Sequence, residues 1–100
     1  MLPKLVRDKI PQIIKDDNRT PITHIAGDDE YWVELRRKLK EEVDEFLADE
    51  TEEELADVLE VLDAIYAYKA YTKAGVEKIQ QEKRDKRGGF MEKIILDEIQ

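Results

Sequence analysis

The residues best able to do chemistry are carboxylates in two clusters: Glu41, Glu42 and Glu45, then, after an eight-residue gap, Glu54 and Asp57. At about 100° per residue, a helix places Glu41, Glu42 and Glu45 in one arc beside an apolar stripe of Trp32, Leu35, Leu39, Val43 and Phe46. On the next helix the stripe is Leu55, Val58, Leu59, Leu62 and Ile65; Glu54 projects from its middle and Asp57 from its border. Carboxylates drawn partly out of water are costly unless a cation compensates them, and the local lysines and arginines are few and mostly on other faces. The two i, i+3 pairs, Glu42 with Glu45 and Glu54 with Asp57, form a four-carboxylate cage if the helices are antiparallel neighbours. A cage of hard oxygen ligands without imidazole or thiolate favours Mg²⁺ or Mn²⁺ over zinc or copper. Each cluster also has an ordinary reading. Lys38 three residues before Glu41 supports a plain solvated face, and Glu54 three residues after Thr51 completes a capping box.

The elements that must position these groups follow from caps and periodicity. Gly27-Asp28-Asp29-Glu30 supplies an N-terminus with acidic first-turn residues for a long helix over about 29–48. Asp49-Glu50 is the connection, and Thr51 starts a second long helix that the spacing carries to about Ala74, with Gly75 as its stop. So short a loop makes the pair antiparallel. A shorter helix precedes them, capped by Asp8 with Pro11 in its first turn, and another runs from Val76 to about Arg87. Ile22 to Ala26 alternates apolar and polar residues like a short strand, with Phe90 to Ile99 as its candidate partner. The expected fold is all-α: an antiparallel helical bundle of two long and two shorter helices with a minor two-stranded β element. His24, the only histidine, sits on the polar phase of that strand and receives no role. Lys69 falls within the apolar phase of the second long helix and is expected to snorkel at an oligomer interface. Trp32 lies in a stripe and reads as core rather than as a platform for a base.

One hundred residues make a single domain over 1–100, and 41% hydrophobic residues suffice for a core that a small helical chain completes by oligomerising. A homodimer or homotetramer is expected. Charged residues reach 42% with a formal net charge of −8, which argues against nucleic acid and anionic membranes as partners. Cysteine is absent, and neither a secretory leader nor an 18-residue apolar run appears, so a soluble cytoplasmic protein is expected.

The acidic pairs, Lys4-Leu5-Val6-Arg7-Asp8-Lys9-Ile10-Pro11 and Lys86-Arg87-Gly88-Gly89-Phe90 together resemble the MazG-like all-helical nucleoside triphosphate pyrophosphohydrolases. The likeness is to small stand-alone members of the phosphoribosyl-ATP pyrophosphohydrolase-like kind, over nearly the whole chain. That resemblance implies Glu42, Glu45, Glu54 and Asp57 as Mg²⁺ ligands, with Glu41 in or beside the ligand shell. It implies cleavage of a nucleoside triphosphate between the α and β phosphates, and its stand-alone character implies the clearing of non-standard nucleotides. Glu41 or Glu45 is then the candidate general base, and Arg7, Lys9, Lys83 and Arg87 are the candidate phosphate contacts. The short gap between Glu45 and Glu54 departs from the long loops of many such enzymes and narrows the pocket mouth. Two rival readings remain: a helical oligomerisation module whose acidic patches keep it soluble, and a nucleotide sensor that holds the metal without turnover.

Overall fold

A computed structural model describes residues 2–100 as four helices: α1 (Ile10–Asp16), α2 (Asp28–Asp49), α3 (Glu52–Lys69) and α4 (Lys73–Arg87). The fold is all-α, and its centre is the antiparallel hairpin of α2 and α3, the one pair of helices that packs extensively among the described residues. Three acidic residues, Asp28, Asp29 and Glu30, open α2, where the helix dipole favours them. Glu50 ends the helix in a left-handed conformation, φ 54°, with its N–H on the Phe46 carbonyl. Thr51 then caps α3, its hydroxyl accepting from the Glu54 N–H at 3.2 Å. Two residues thus turn the chain back on itself and fix the rotation at which α3 leaves the turn.

Four expectations need correction. The second long helix stops at Lys69, not Ala74, because Ala70 turns left-handed, φ 56°, and the Tyr71 N–H returns to the Tyr66 carbonyl. Gly75 is no stop: its N–H is the group that the Thr72 hydroxyl caps, 3.0 Å away, in the first turn of α4. A Cβ at Gly75 would lie 2.7 Å from that hydroxyl oxygen, so the glycine makes room for the cap. Lys9 rather than Asp8 occupies the N-cap position of α1, without a side-chain cap, while Pro11 does sit in the first turn. No strand forms among the described residues: Ile22 and Ile25 are 97% and 96% exposed, Phe90 is 97% exposed, and the two segments stay unpaired. An isolated two-stranded ribbon has too little buried surface to hold itself together.

The core is thin. Leu35 and Val61 are the buried hydrophobic residues among those described, one from each helix of the hairpin, and Glu42 is buried with them. At the far end of the hairpin Trp32 stacks on Tyr68, ring centroids 5.1 Å apart, and Tyr31 meets Tyr68 edge-on at 5.7 Å. The Lys69 ammonium lies 4.3 Å from the Trp32 ring centroid, so the lysine in the apolar phase has a partner within its own chain. His24 pairs with Glu30 at 2.9 Å on the surface. Among the described residues no helix is long and apolar enough to cross a membrane.

Candidate metal centre

Packing of α2 on α3 brings Glu42, Glu54 and Asp57 together: one carboxylate oxygen from each lies within 4.8 Å of the others. The hairpin explains the convergence. Glu42 stands about two turns before the end of α2, and Glu54 and Asp57 are one turn apart at the start of α3. Thr51 holds Glu54 in register by its backbone, but the reciprocal half of a capping box does not form; the Glu54 Oε2 atom is buried and has no hydrogen-bond partner. Glu42 is only 7% exposed, and its Oε2 is likewise buried and unpartnered. Buried acceptors without partners are rare because each loses its hydration without return. Two such residues in one converging cluster, with a third carboxylate beside them, make a candidate cation site.

The remaining sequence candidates fall at different distances from that point. Glu45 is exposed at the rim and is not one of the converging three, so the cage has three close carboxylates and a fourth at its edge. Its pKa is nevertheless raised, first by a hydrogen bond with Glu42, then by the charges of Glu42, Glu54 and Glu41. Glu54 is raised by desolvation and then by Asp57 and other nearby carboxylates. Glu41 behaves oppositely: it accepts a 3.1 Å hydrogen bond from Lys38 and lies 3.8 Å from Lys4, and the Lys38 bond lowers its pKa.

Arg7 reaches the site across 50 residues of chain, donating from Nη2 to Asp57 Oδ1 at 2.6 Å, with Nη1 4.0 Å from Glu60. A cavity of about 270 Å³ opens there, lined by Lys4, Arg7 and Lys38 as well as Glu42 and Asp57. Lys9, Lys83 and Arg87 do not line it, and α4 is exposed apart from the half-buried Val76. Lys38, which the sequence offered only as support for a solvated face, belongs to the site. It bonds Glu41 at 3.1 Å and Glu42 at 3.2 Å, and its pKa is raised because those hydrogen bonds and charges together outweigh the larger single effect of burial. Its spacing of three and four residues before two glutamates was the available signal.

The donor set fits a hard divalent cation. All three groups offer oxygen, Glu42 and Glu54 each carry an unpartnered buried oxygen, and ligand oxygens within 4.8 Å of one another are compatible with metal–oxygen bonds about 2.0–2.6 Å long. Fold and site together define a class: an all-α hairpin that brings together carboxylates from both helices at a cavity that basic side chains share with two of them. Within that class the comparisons are sparse. No family model and no solved structure matches the chain. A curated protein of Mycolicibacterium smegmatis, described only as uncharacterized, is 50% identical over 48 residues, which are 48% of this chain and 49% of that protein. The match therefore spans about half the length of that relative, whose description carries no activity.

Proposed function

We propose that the chain is a Mg²⁺- or Mn²⁺-dependent nucleoside triphosphate pyrophosphohydrolase of the MazG-like kind, cleaving between the α and β phosphates to give a nucleoside monophosphate and pyrophosphate. The observation that carries this reading is the buried Glu42, whose unpartnered Oε2 accompanies the unpartnered Oε2 of Glu54 in a three-carboxylate cluster with Asp57. Glu42, Glu54 and Asp57 would hold the cation, with Glu45 available from the rim. When bound there, the ion supplies neutralisation of the phosphate charge and acidification of water.

The chain's own residues divide the remaining work. Glu45 is the better of the two candidate bases, because its raised pKa and exposure leave it free to take a proton from the attacking water, whereas Lys38 and Lys4 hold Glu41. Lys4, Arg7 and Lys38 line the adjoining cavity and attract the polyanion towards an otherwise acidic protein. Lys9, Lys83 and Arg87 lie apart from this cavity within one chain, so the phosphate contacts named for this reading are Arg7 with Lys4 and Lys38.

A homo-oligomer forms part of the proposal. The described surface is 9408 Å², against roughly 5,900 Å² for a compact monomer of this mass. Leu55 and Leu59 on α3 and Leu47 on α2 are among the large apolar residues left exposed. A helical oligomerisation module would account for that surface equally well, but it leaves the two orphaned oxygens unexplained. A cytoplasmic location, where nucleotides are available, completes the reading. The test is pyrophosphate release from a panel of standard and modified nucleoside triphosphates with Mg²⁺: release with at least one of them is expected. Metal-dependent binding of a nucleotide without release would instead support the sensor.

A further inference from the structure

Asp57 faces two cationic claims at once. Its Oδ1 accepts the 2.6 Å hydrogen bond from Arg7, and it also belongs to the carboxylate cluster whose oxygens lie within 4.8 Å of one another. A guanidinium and a divalent ion so close together repel, and the cluster cannot give Asp57 fully to both. Resting on the metal-site reading above, we infer that Arg7 is a displaceable counter-cation: it pairs with Asp57 until a divalent ion enters, and then transfers to the phosphate oxygens of the bound polyanion, coupling the two binding events.

Three features support the exchange. Arg7 lies in the irregular segment before α1, and its side chain is 54% exposed, so it can swing without unpacking a helix. Glu60, 4.0 Å from Nη1, already shares the guanidinium. The cavity that Arg7 lines with Lys4 and Lys38 gives a phosphate a place beside the cluster, and a planar guanidinium can grip phosphate through two parallel hydrogen bonds. Lys38 differs in kind. It is only 17% exposed, grows from α2 and bonds both Glu41 and Glu42, so it is a fixed charge rather than a mobile one.

The coupling has a signature that loss of structure cannot imitate, since one substitution acts in opposite directions on two ligands. In Arg7→Gln, calorimetric titration with Mn²⁺ alone should show roughly threefold to tenfold tighter binding than wild type, because a screened like charge is gone. In saturating Mn²⁺ the same variant should bind inorganic pyrophosphate about tenfold more weakly, having lost a charge-assisted contact. Arg7→Lys, which keeps the charge and loses the fork, should leave the Mn²⁺ affinity near wild type and weaken pyrophosphate binding by less. The exchange is overturned if Arg7→Gln leaves Mn²⁺ affinity unchanged, or weakens Mn²⁺ and pyrophosphate together. Should wild type bind no Mn²⁺, the metal site itself is lost and the exchange with it; Mn²⁺ binding of equal strength in both proteins removes the exchange alone.

Discussion

Glu54 concentrates the question of what the acidic cluster is for, because its backbone serves the helix start and its side chain does not. The Glu54 N–H satisfies Thr51 while its Oε2 stays buried and unpartnered, so changing the carboxylate to an amide leaves the cap intact. Wild type should gain thermal stability with Mn²⁺, since an ion bound only by the folded chain adds about 2.7 kcal/mol at a hundredfold excess over its Kd. Glu54→Gln and Asp57→Asn should lose most of that metal-induced rise and lower pyrophosphate release by orders of magnitude, with Asp63→Asn on the exposed side of α3 as an unaffected control. A full melting-temperature response in Glu54→Gln would remove it from the site.

The same residues set a pH dependence. Glu45 and Glu54 hold protons more tightly in the folded chain than in the unfolded one, so their contribution to stability is complete below the ordinary carboxylate range and is lost as pH rises through their raised folded values. Under chelation, melting temperature should therefore climb as pH falls from neutrality into that window. The gain ends at lower pH, where Glu41, depressed by Lys38, takes up its proton and its ion pair fails. With excess Mn²⁺ the slope should reverse, because protons then compete with the ion. A chelated protein that only loses stability across the window would contradict this assignment.

At the scale of the element, the turn between α2 and α3 carries more than its two residues suggest. Glu50 accepts a left-handed conformation that costs a non-glycine residue about 1–2 kcal/mol, and Thr51 answers with an N-cap. Removing the hydroxyl by Thr51→Ala should lower unfolding free energy by about 1 kcal/mol in urea titrations. It should also weaken Mn²⁺ binding, since the cap fixes the first turn from which Glu54 projects. An equal loss of stability with unchanged Mn²⁺ affinity would show that packing alone sets the register. The break between α3 and α4 has the same design: Ala70 left-handed, then Thr72 capping Gly75.

At the scale of the whole molecule, the chain is extended. Its radius of gyration is 18.2 Å, whereas a compact domain of this length has about 13 Å. The two buried hydrophobic residues among those described are few against the conformational entropy of ordering four helices, and in the proposed oligomer another copy would supply further apolar contact. Light scattering at micromolar concentration should return a mass of at least twice 11.8 kDa. A monomer of unchanged helicity at that concentration would remove the oligomer from the proposal.

Much of this was legible in the sequence because it is local. Helical periodicity put the acidic pairs at i, i+3 beside apolar stripes, Thr51 marked the start of α3, and the short connection made the hairpin antiparallel. Those features depend on neighbours within a turn or two of chain, where spacing and propensity decide. The tertiary structure settled what depends on how helices rotate against each other and where distant segments land. It drew Glu42, Glu54 and Asp57 together while leaving Glu45 at the rim, because a small rotation of α2 selects which glutamate faces α3. It folded Arg7 onto Asp57, and it left Ile22 to Ala26 without the partner a strand requires. Separations as long as the 50 residues from Arg7 to Asp57 leave no local periodic trace, so only the folded chain could bring that cation to that carboxylate.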